Sequence, residues 1–225
     1  MSLSIIIPCF NEEKNILKVL NNLILNIKKY TYNYEIIVID DFSKDKTYKT
    51  VKLFKKKNRI LLYRNRRNLG YGGSFKKGLS KSNKNYVIVA TGDGETNFEN
   101  MLKYYYLTKK FDIVCTYPVG NDRGFIRNFL SSSFTKILNF FFNLNLKYYN
   151  GATYYKKENL SKILIDSDGF FFNAEILIKL IKKKKLKFIQ KPMKMKKRNE
   201  GTSNAIKMNV FINVLFDFIK TRICI

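Results

Sequence analysis

The stretch LSIIIPCFNEEKNI, residues 3–16, decides the fold. Leu3 to Ile7 is a short, β-branched apolar run ending at Pro8. Asn11-Glu12-Glu13 then opens an amphipathic segment through Ile27, so the local order is strand, loop, helix. The pattern recurs in YEIIVIDDFSKDKT, residues 34–47, where a buried-type strand from Glu35 to Ile39 ends in Asp40-Asp41. Ser43, Asp45 and a helix from Thr47 to about Lys56 follow. Arg59 to Tyr63 reads as a third strand, and the glycine-rich turn Asn68-Leu69-Gly70-Tyr71-Gly72-Gly73 leads into a helix reaching about Ser80. Tyr86 to Ala90 is a fourth strand, ending in Thr91-Gly92-Asp93-Gly94-Glu95. Strands alternating with helices predict an α/β fold, a mostly parallel Rossmann-like sheet flanked by helices and joined by right-handed crossovers. The polar residues gather just after strand C-terminal ends, where open α/β sheets bind ligands.

Further along, Asp112 to Thr116 reads as a strand and Phe125 to Leu146 as a long apolar-rich helix with Arg123 and Arg127 at its start. Gly151 to Tyr155 reads as a strand, Phe170 to Ile181 as a helix containing Glu175, and Leu186 to Gln190 as a short strand. Ala205 to Ile219 is a very apolar helix with a narrow polar stripe formed by Asn209, Asn213 and Asp217. No linker divides the 225 residues. The expected organisation is a single domain over residues 1–204 and a specialised amphipathic C-terminal helix over 205–225.

An apolar fraction of 45% excludes a disordered chain. The net charge of +26 fits a solvated lysine surface, an anionic membrane or an anionic substrate. No zinc-ligand spacing, RNP-like strand or recognition helix points to nucleic acid. Cys9, Cys115 and Cys224 form no CxxC pair and histidine is absent, which excludes a zinc framework and every mechanism that needs an imidazole. No basic leader precedes the first strand, and no run of about 18 apolar residues spans a membrane, so a cytoplasmic location is expected.

Two groups of residues carry chemistry. Pro8 to Glu13 and Asp40 to Asp45 both follow buried strands and line one crevice; a carboxylate there accepts hydrogen bonds from a base N–H or ribose hydroxyls, and Phe10 offers a ring face. The Asp93-Gly94-Glu95 turn projects two carboxylates toward one point, the oxygen-donor chemistry that Mg2+ or Mn2+ takes up while leaving positions for a diphosphate.

Taken in order, LSIIIPCFNEEKNI, YEIIVIDDFSKDKT, NRRNLGYGGSFKKGL and VIVATGDGE resemble the GT-A-fold glycosyltransferases of the family-2 type. Within that family they are most similar to dolichyl-phosphate mannosyltransferases and related polyprenyl-phosphate glycosyltransferases. The resemblance covers roughly the first hundred residues. It implies a nucleotide-sugar donor (a UDP- or GDP-sugar), with Pro8, Phe10, Glu12 and Asp40 on the nucleoside, and Asp41, Ser43 and Gly70 in the same nucleotide-binding set. It implies Mg2+ or Mn2+ on Asp93 and Glu95, which are also the expected catalytic carboxylates. Thr91 stands where relatives often have a first Asp, and Glu95 where they have Gln. In the second half, RGFIRNFLSS, GFFFNAEIL and RNEGTSN resemble the polyprenyl-phosphate group more loosely, with Asn204 in place of a Lys. That likeness puts Arg123, Arg127, Ser131, Arg198 and Ser203 around donor or acceptor phosphates, a role suited to the planar guanidinium fork.

The expected reaction is an inverting transfer to a polyprenyl phosphate, whose anionic oxygen needs no general base. A sugar-hydroxyl acceptor, as in surface polysaccharide or glycolipid synthesis, would need one, and Glu175 is then the candidate. A nucleotide-sugar-binding protein without turnover is the third reading. The two apolar helices and nearby basic segments predict peripheral association with an anionic membrane surface on its cytosolic face. A homodimer or a membrane partner subunit is the other expected partner.

Overall fold

The computed structural model describes residues 1–120, 124–196 and 208–223. Seven strands form one sheet: β1 (Leu3–Cys9), β2 (Tyr34–Asp40), β3 (Ile60–Arg64), β4 (Tyr86–Val89), β5 (Ile113–Val119), β6 (Thr153–Lys156) and β7 (Phe188–Lys194). Their order is β3-β2-β1-β4-β6-β5-β7. The β1–β2, β1–β4, β2–β3 and β5–β7 pairs are parallel, and β6 alone runs against its neighbours β4 and β5. The mostly parallel sheet expected from the sequence is the one observed. β1 is central and buried at every residue, which explains its unbroken apolar reading.

The helices are α1 (Ile16–Ile27), α2 (Thr47–Lys55), α3 (Gly70–Lys81), α4 (Phe98–Leu102), α5 (Phe125–Phe142), α6 (Lys157–Leu160), α7 (Phe172–Ile178) and α8 (Met208–Ile223). Alternation along the strands feeds two cores. Ile5, Ile7, Ile36 and Val38 meet Val19 and Leu23 of α1 and Val51 of α2, while Ile6, Ile37 and Ile39 meet Phe75 of α3, Leu138 of α5 and Phe172 of α7.

Several boundaries differ from the sequence reading, each for a local reason. α1 begins at Ile16 rather than Asn11 because Asn11 is left-handed (φ 54°) and residues 11–13 give their amides to a neighbouring loop. α5 ends at Phe142 rather than Leu146 because Asn143 adopts the left-handed cap conformation. The Asn139 side chain then holds the turned segment, donating to the Leu146 carbonyl (2.8 Å) and accepting from the Leu146 amide (3.0 Å) and the Tyr149 hydroxyl (2.9 Å). α7 continues through a π turn over Lys179–Lys183. β7 is longer than expected, and it accommodates Pro192 because it is an edge strand.

α8 packs its Phe218 against Phe141 and Phe142, at ring separations of 5.2 and 5.6 Å. Asp217, on the polar stripe of α8, turns inward and accepts from Ser167 Oγ (2.5 Å), and Lys220 lies 2.9 Å from Asp166. The same loop is held from below by Glu175. This carboxylate is buried and accepts from the amides of Asp166 (3.0 Å) and Ser167 (2.9 Å) and from Lys179 Nζ. Both oxygens of Glu175 are thus engaged inside the protein, whereas a general base needs an oxygen free to take a proton. Replacing Glu175 with Ala leaves two amides without their acceptor and the buried Lys179 with only Asp166 and the Leu164 carbonyl. The expected loss is about 3–5 kcal/mol of stability, measured by urea denaturation; an unchanged midpoint with abolished turnover would instead restore the base role.

Candidate functional site

The loops after β1 and β2 are bonded to each other over about thirty residues of sequence. The Asn11 amide donates to Ser43 Oγ (3.0 Å), the Lys44 amide to Asn11 Oδ1 (2.8 Å), and the Glu12 amide to Thr47 Oγ1 (2.7 Å). The Glu13 amide donates to Asp45 Oδ2 (3.1 Å) and the Lys46 amide to Glu13 Oε2 (2.8 Å). These polar residues therefore do cap backbone groups, but across two loops, and the result is one rigid rim. Glu12 is buried and accepts from Asn15 Nδ2 at 2.8 Å. Pro8 is a buried strand residue paired with Ile39, beyond the last β1–β4 pair of Ile6 with Val89. Phe10 is half-buried on the rim.

Asp40 and Asp41 point to opposite faces, as adjacent extended residues must. Asp41 accepts from the Leu69 amide (2.8 Å) and Asn65 Nδ2 (2.6 Å) on Oδ1 and from the Gly70 amide (2.9 Å) on Oδ2. It fastens the start of α3 to the end of β2. Asp40 is enclosed, and among the described residues neither of its oxygens takes a well-aligned hydrogen bond. Its companion is Arg64, whose Nε lies 3.0 Å from Oδ2. The Arg64 guanidinium donates through NH2 to the Ser43 carbonyl (2.9 Å) and lies over the rings of Tyr48 and Phe42. Burial pushes the Asp40 pKa up, with Ser43 and Arg64 opposing the shift. Arg64 escaped the sequence reading; its signal was an arginine at the last residue of a strand adjoining the one that ends in Asp40.

At the end of β4, Asp93 accepts on Oδ1 from Thr91 Oγ1 (2.6 Å) and from the Glu95 amide (3.0 Å). Thr91, which stands where a first carboxylate was expected, thus orients the second. Asp93 Oδ2 has no partner among the described residues. Glu95 is differently placed, since Arg127 grips both its oxygens at 2.9 Å through NH1 and NH2. This bidentate bond raises the Arg127 pKa. Arg127, expected on a phosphate, and Glu95, expected on a metal, hold each other here.

Among the described residues no three His, Cys, Asp or Glu side chains gather as a metal cage. A divalent cation still fits the turn, because Mg2+ is commonly held by one or two carboxylates with phosphate oxygens and water completing its shell. Asp93 Oδ2 suits that arrangement, and Glu95 does not while Arg127 holds it.

Gly70, expected near the nucleotide, has a structural use. At φ 78° it takes a conformation that favours glycine, and an added Cβ would lie 2.6 Å from the Asp168 carbonyl oxygen. Gly72 and Gly73 donate their amides to that same carbonyl, at 2.8 and 3.2 Å. Ser131 lies one turn beyond Arg127 on α5, its carbonyl accepting from Thr135 Oγ1. Arg123, Arg198 and Ser203 lie outside the described residues, as does Asn204.

The profile of Glycosyl transferase family 2 matches residues 4–180. Among curated proteins, dolichyl-phosphate beta-glucosyltransferase of Dictyostelium discoideum is 34% identical over 152 residues, 59% of this chain and 46% of that protein. The Saccharomyces cerevisiae protein of the same name is 28% identical over 211 residues, 81% of this chain and 63% of that protein. The chain thus spans about half the length of these curated relatives. Among solved structures, glucosyl-3-phosphoglycerate synthase from Mycobacterium tuberculosis in complex with UDP has a TM-score of 0.75 at 14% identity, covering 98% of this chain and 80% of that one. The same enzyme with Mg2+ and UDP has a TM-score of 0.73 at 16% identity, covering 98% and 79%. At those identities the likeness concerns the fold.

The packing of loop 165–169 on the glycine-rich turn gives a direct test. A Cβ on Gly72 would lie 2.7 Å from the Ser167 carbonyl oxygen and 2.8 Å from Phe172 Cβ. Gly72→Ala is expected to cost about 1–3 kcal/mol in urea denaturation, and a neutral result would show that the loop is not seated there.

Proposed function

The chain belongs to glycosyl transferase family 2, and we propose that it moves a hexose, with inversion, from a nucleotide sugar to a polyprenyl phosphate. The observation that carries the donor half is the enclosed Asp40 carboxylate at the end of β2, whose close cation is the partly exposed Arg64, with Nε 3.0 Å from Oδ2. A buried carboxylate of this kind takes up a further donor when a ligand offers one. A base with a ring N–H, uracil or guanine, would supply it by replacing Arg64 Nε at Oδ2. Phe10, on the half-buried rim, offers the base a face, and the interlocked loops keep the rim from spreading.

The diphosphate then lies over the end of β4. A divalent cation there, held by Asp93 Oδ2, would stabilise negative charge on the leaving diphosphate. Thr91 keeps the Asp93 carboxylate turned toward that position. Arg127 holds Glu95 and carries positive charge beside the same turn. An acceptor phosphate oxygen attacks the anomeric carbon, the bond from that carbon to the diphosphate oxygen breaks, and its electron pair leaves with the nucleoside diphosphate. This acceptor needs no base. The engagement of Glu175 with Lys179 and two amides favours it over a sugar hydroxyl, which would have to lose a proton to some carboxylate. The names of the two curated relatives support the polyprenyl-phosphate class.

The lipid acceptor places the protein at a membrane surface. Among the described residues no helix is long and apolar enough to cross a membrane. The outer face of α5 exposes Phe129, Leu130, Ile137 and Phe140, the last at 82%, beside Leu215, Phe216, Ile219 and Ile223 of α8. Lys191, Lys194 and Lys196 lie on or just after β7. Apolar side chains entering the interface while lysines meet anionic headgroups is the monotopic arrangement, to which each such lysine adds about 1 kcal/mol.

Incubation with radiolabelled UDP- or GDP-hexose and a polyprenyl phosphate is expected to carry label into the organic phase, with Asp93→Ala lowering the rate at least about 100-fold. Label only in water-soluble saccharide would support a hydroxyl acceptor, and nucleotide binding with no labelled product would support a binding protein without turnover. The membrane reading predicts co-sedimentation with phosphatidylglycerol vesicles at low salt and release at high salt. A vesicle-independent dimer would instead assign the apolar face to a second copy.

A further inference from the structure

We propose that Asp168 and Phe170, on the loop before α7, form with Tyr71 a subsite that reads the sugar ring of the donor. The inference rests on the donor reading above and adds to it the residues that contact the hexose. The loop backbone is fixed from three sides: Glu175 takes the amides of residues 166 and 167, Asp217 takes the Ser167 hydroxyl, and the Asp168 carbonyl accepts from Gly72 and Gly73. Yet on this fixed backbone Asp168 and Phe170 face solvent. The Asp168 side chain is 64% exposed and Phe170 is 38% exposed. Exposed polar and aromatic side chains on a rigidly held loop are the usual makeup of a recognition element.

The position is at the edge of the sheet where the crevice opens. Phe170 stacks on Tyr71 with ring centroids 6.2 Å apart and planes 25° apart. Tyr71 is the second residue of α3, directly after the Gly70 that Asp41 anchors. Asp41 holds the start of α3 at the C-terminal end of β2, and β2, β1 and β4 run parallel, so Tyr71 and Phe170 lie at the same edge of the sheet as the turn that bears Asp93.

The chemistry selects a neutral sugar. A pyranose presents an apolar C–H face that packs on an aromatic ring, and a rim of hydroxyls that donate to a carboxylate. Lys76 Nζ lies 2.7 Å from Asp168 Oδ1, and Oδ2 has no partner among the described residues. That oxygen is available to accept from a hydroxyl pair. A phosphate would be repelled by the same carboxylate, so the subsite suits the hexose rather than the acceptor headgroup.

The test is calorimetric titration of the whole chain, with Mn2+, by UDP, UDP-glucose, GDP and GDP-mannose. Phe170→Ala and Asp168→Asn are expected to weaken binding of the nucleotide sugar about 5- to 10-fold relative to its parent diphosphate. Affinity for the diphosphate itself should stay within about 2-fold, which also reports an intact fold, and Phe170→Tyr should keep the original ratio. An unchanged ratio in both Phe170→Ala and Asp168→Asn, with diphosphate binding intact, would overturn the subsite and leave the donor reading standing. No binding of either diphosphate to the unaltered protein would overturn both.

Discussion

The carboxylate of Asp41 is the constraint on which the crevice depends. It is nearly enclosed, and it takes the amides of Leu69 and Gly70 together with the Asn65 amide group. One side chain thereby fixes the end of β2, the exit of β3 and the start of α3. The glycines of α3 receive loop 165–169, and that loop receives α7 from below and α8 from outside. Were the turn at residues 69–70 held loosely, the loop bearing Asp168 would lose its seat on α3 and keep only its bonds to Glu175 and Asp217. Strand geometry divides the labour between two neighbouring acids. Asp41 faces α3 and is saturated by protein donors, while Asp40 faces the other way and is not.

Electrostatics gives the site its second level of order. The chain has 17 acidic residues against 43 basic ones, so acids are scarce. Several of them sit in or under the crevice, each beside a cation: Asp40 with Arg64, Glu95 with Arg127, Asp168 with Lys76, Glu175 with Lys179. A buried pair such as Glu175 with Lys179 is a weak contributor to net stability, because desolvation offsets the attraction, but losing one partner is expensive. Asp93 is oriented by a hydroxyl and an amide instead and has no ion-pair partner among the described residues. The basic surplus of the chain favours anionic ligands in general.

The fold was legible because apolar β-branched runs alternating with amphipathic segments admit few arrangements, and the acids at 40–41 and 93–95 fell at strand ends as an open sheet requires. The reading of individual polar residues was less reliable. Asp41, Gly70 and Glu175 were read as site residues from order and composition, which do not show the structural partners each of them has at Leu69, Asp168 and Lys179. Arg127 and Glu95 were each assigned a ligand because nothing in the sequence shows that they meet, 32 residues apart. The antiparallel insertion of β6 and the extension of β7 through Pro192 are set by sheet position rather than by local propensity.

The central claim is that a nucleotide sugar binds over the C-terminal ends of β1, β2 and β4, with its base on Asp40 and a divalent cation on Asp93. The most direct measurement is a crystal structure of the protein grown with Mn2+ and UDP or GDP, with data collected at the manganese edge. The account predicts an anomalous peak beside Asp93 Oδ2, bridged to the diphosphate, and a ring nitrogen of the base within hydrogen-bond distance of Asp40 after Arg64 has moved aside. A nucleotide bound elsewhere on the basic surface, or manganese with no contact to Asp93, would contradict it.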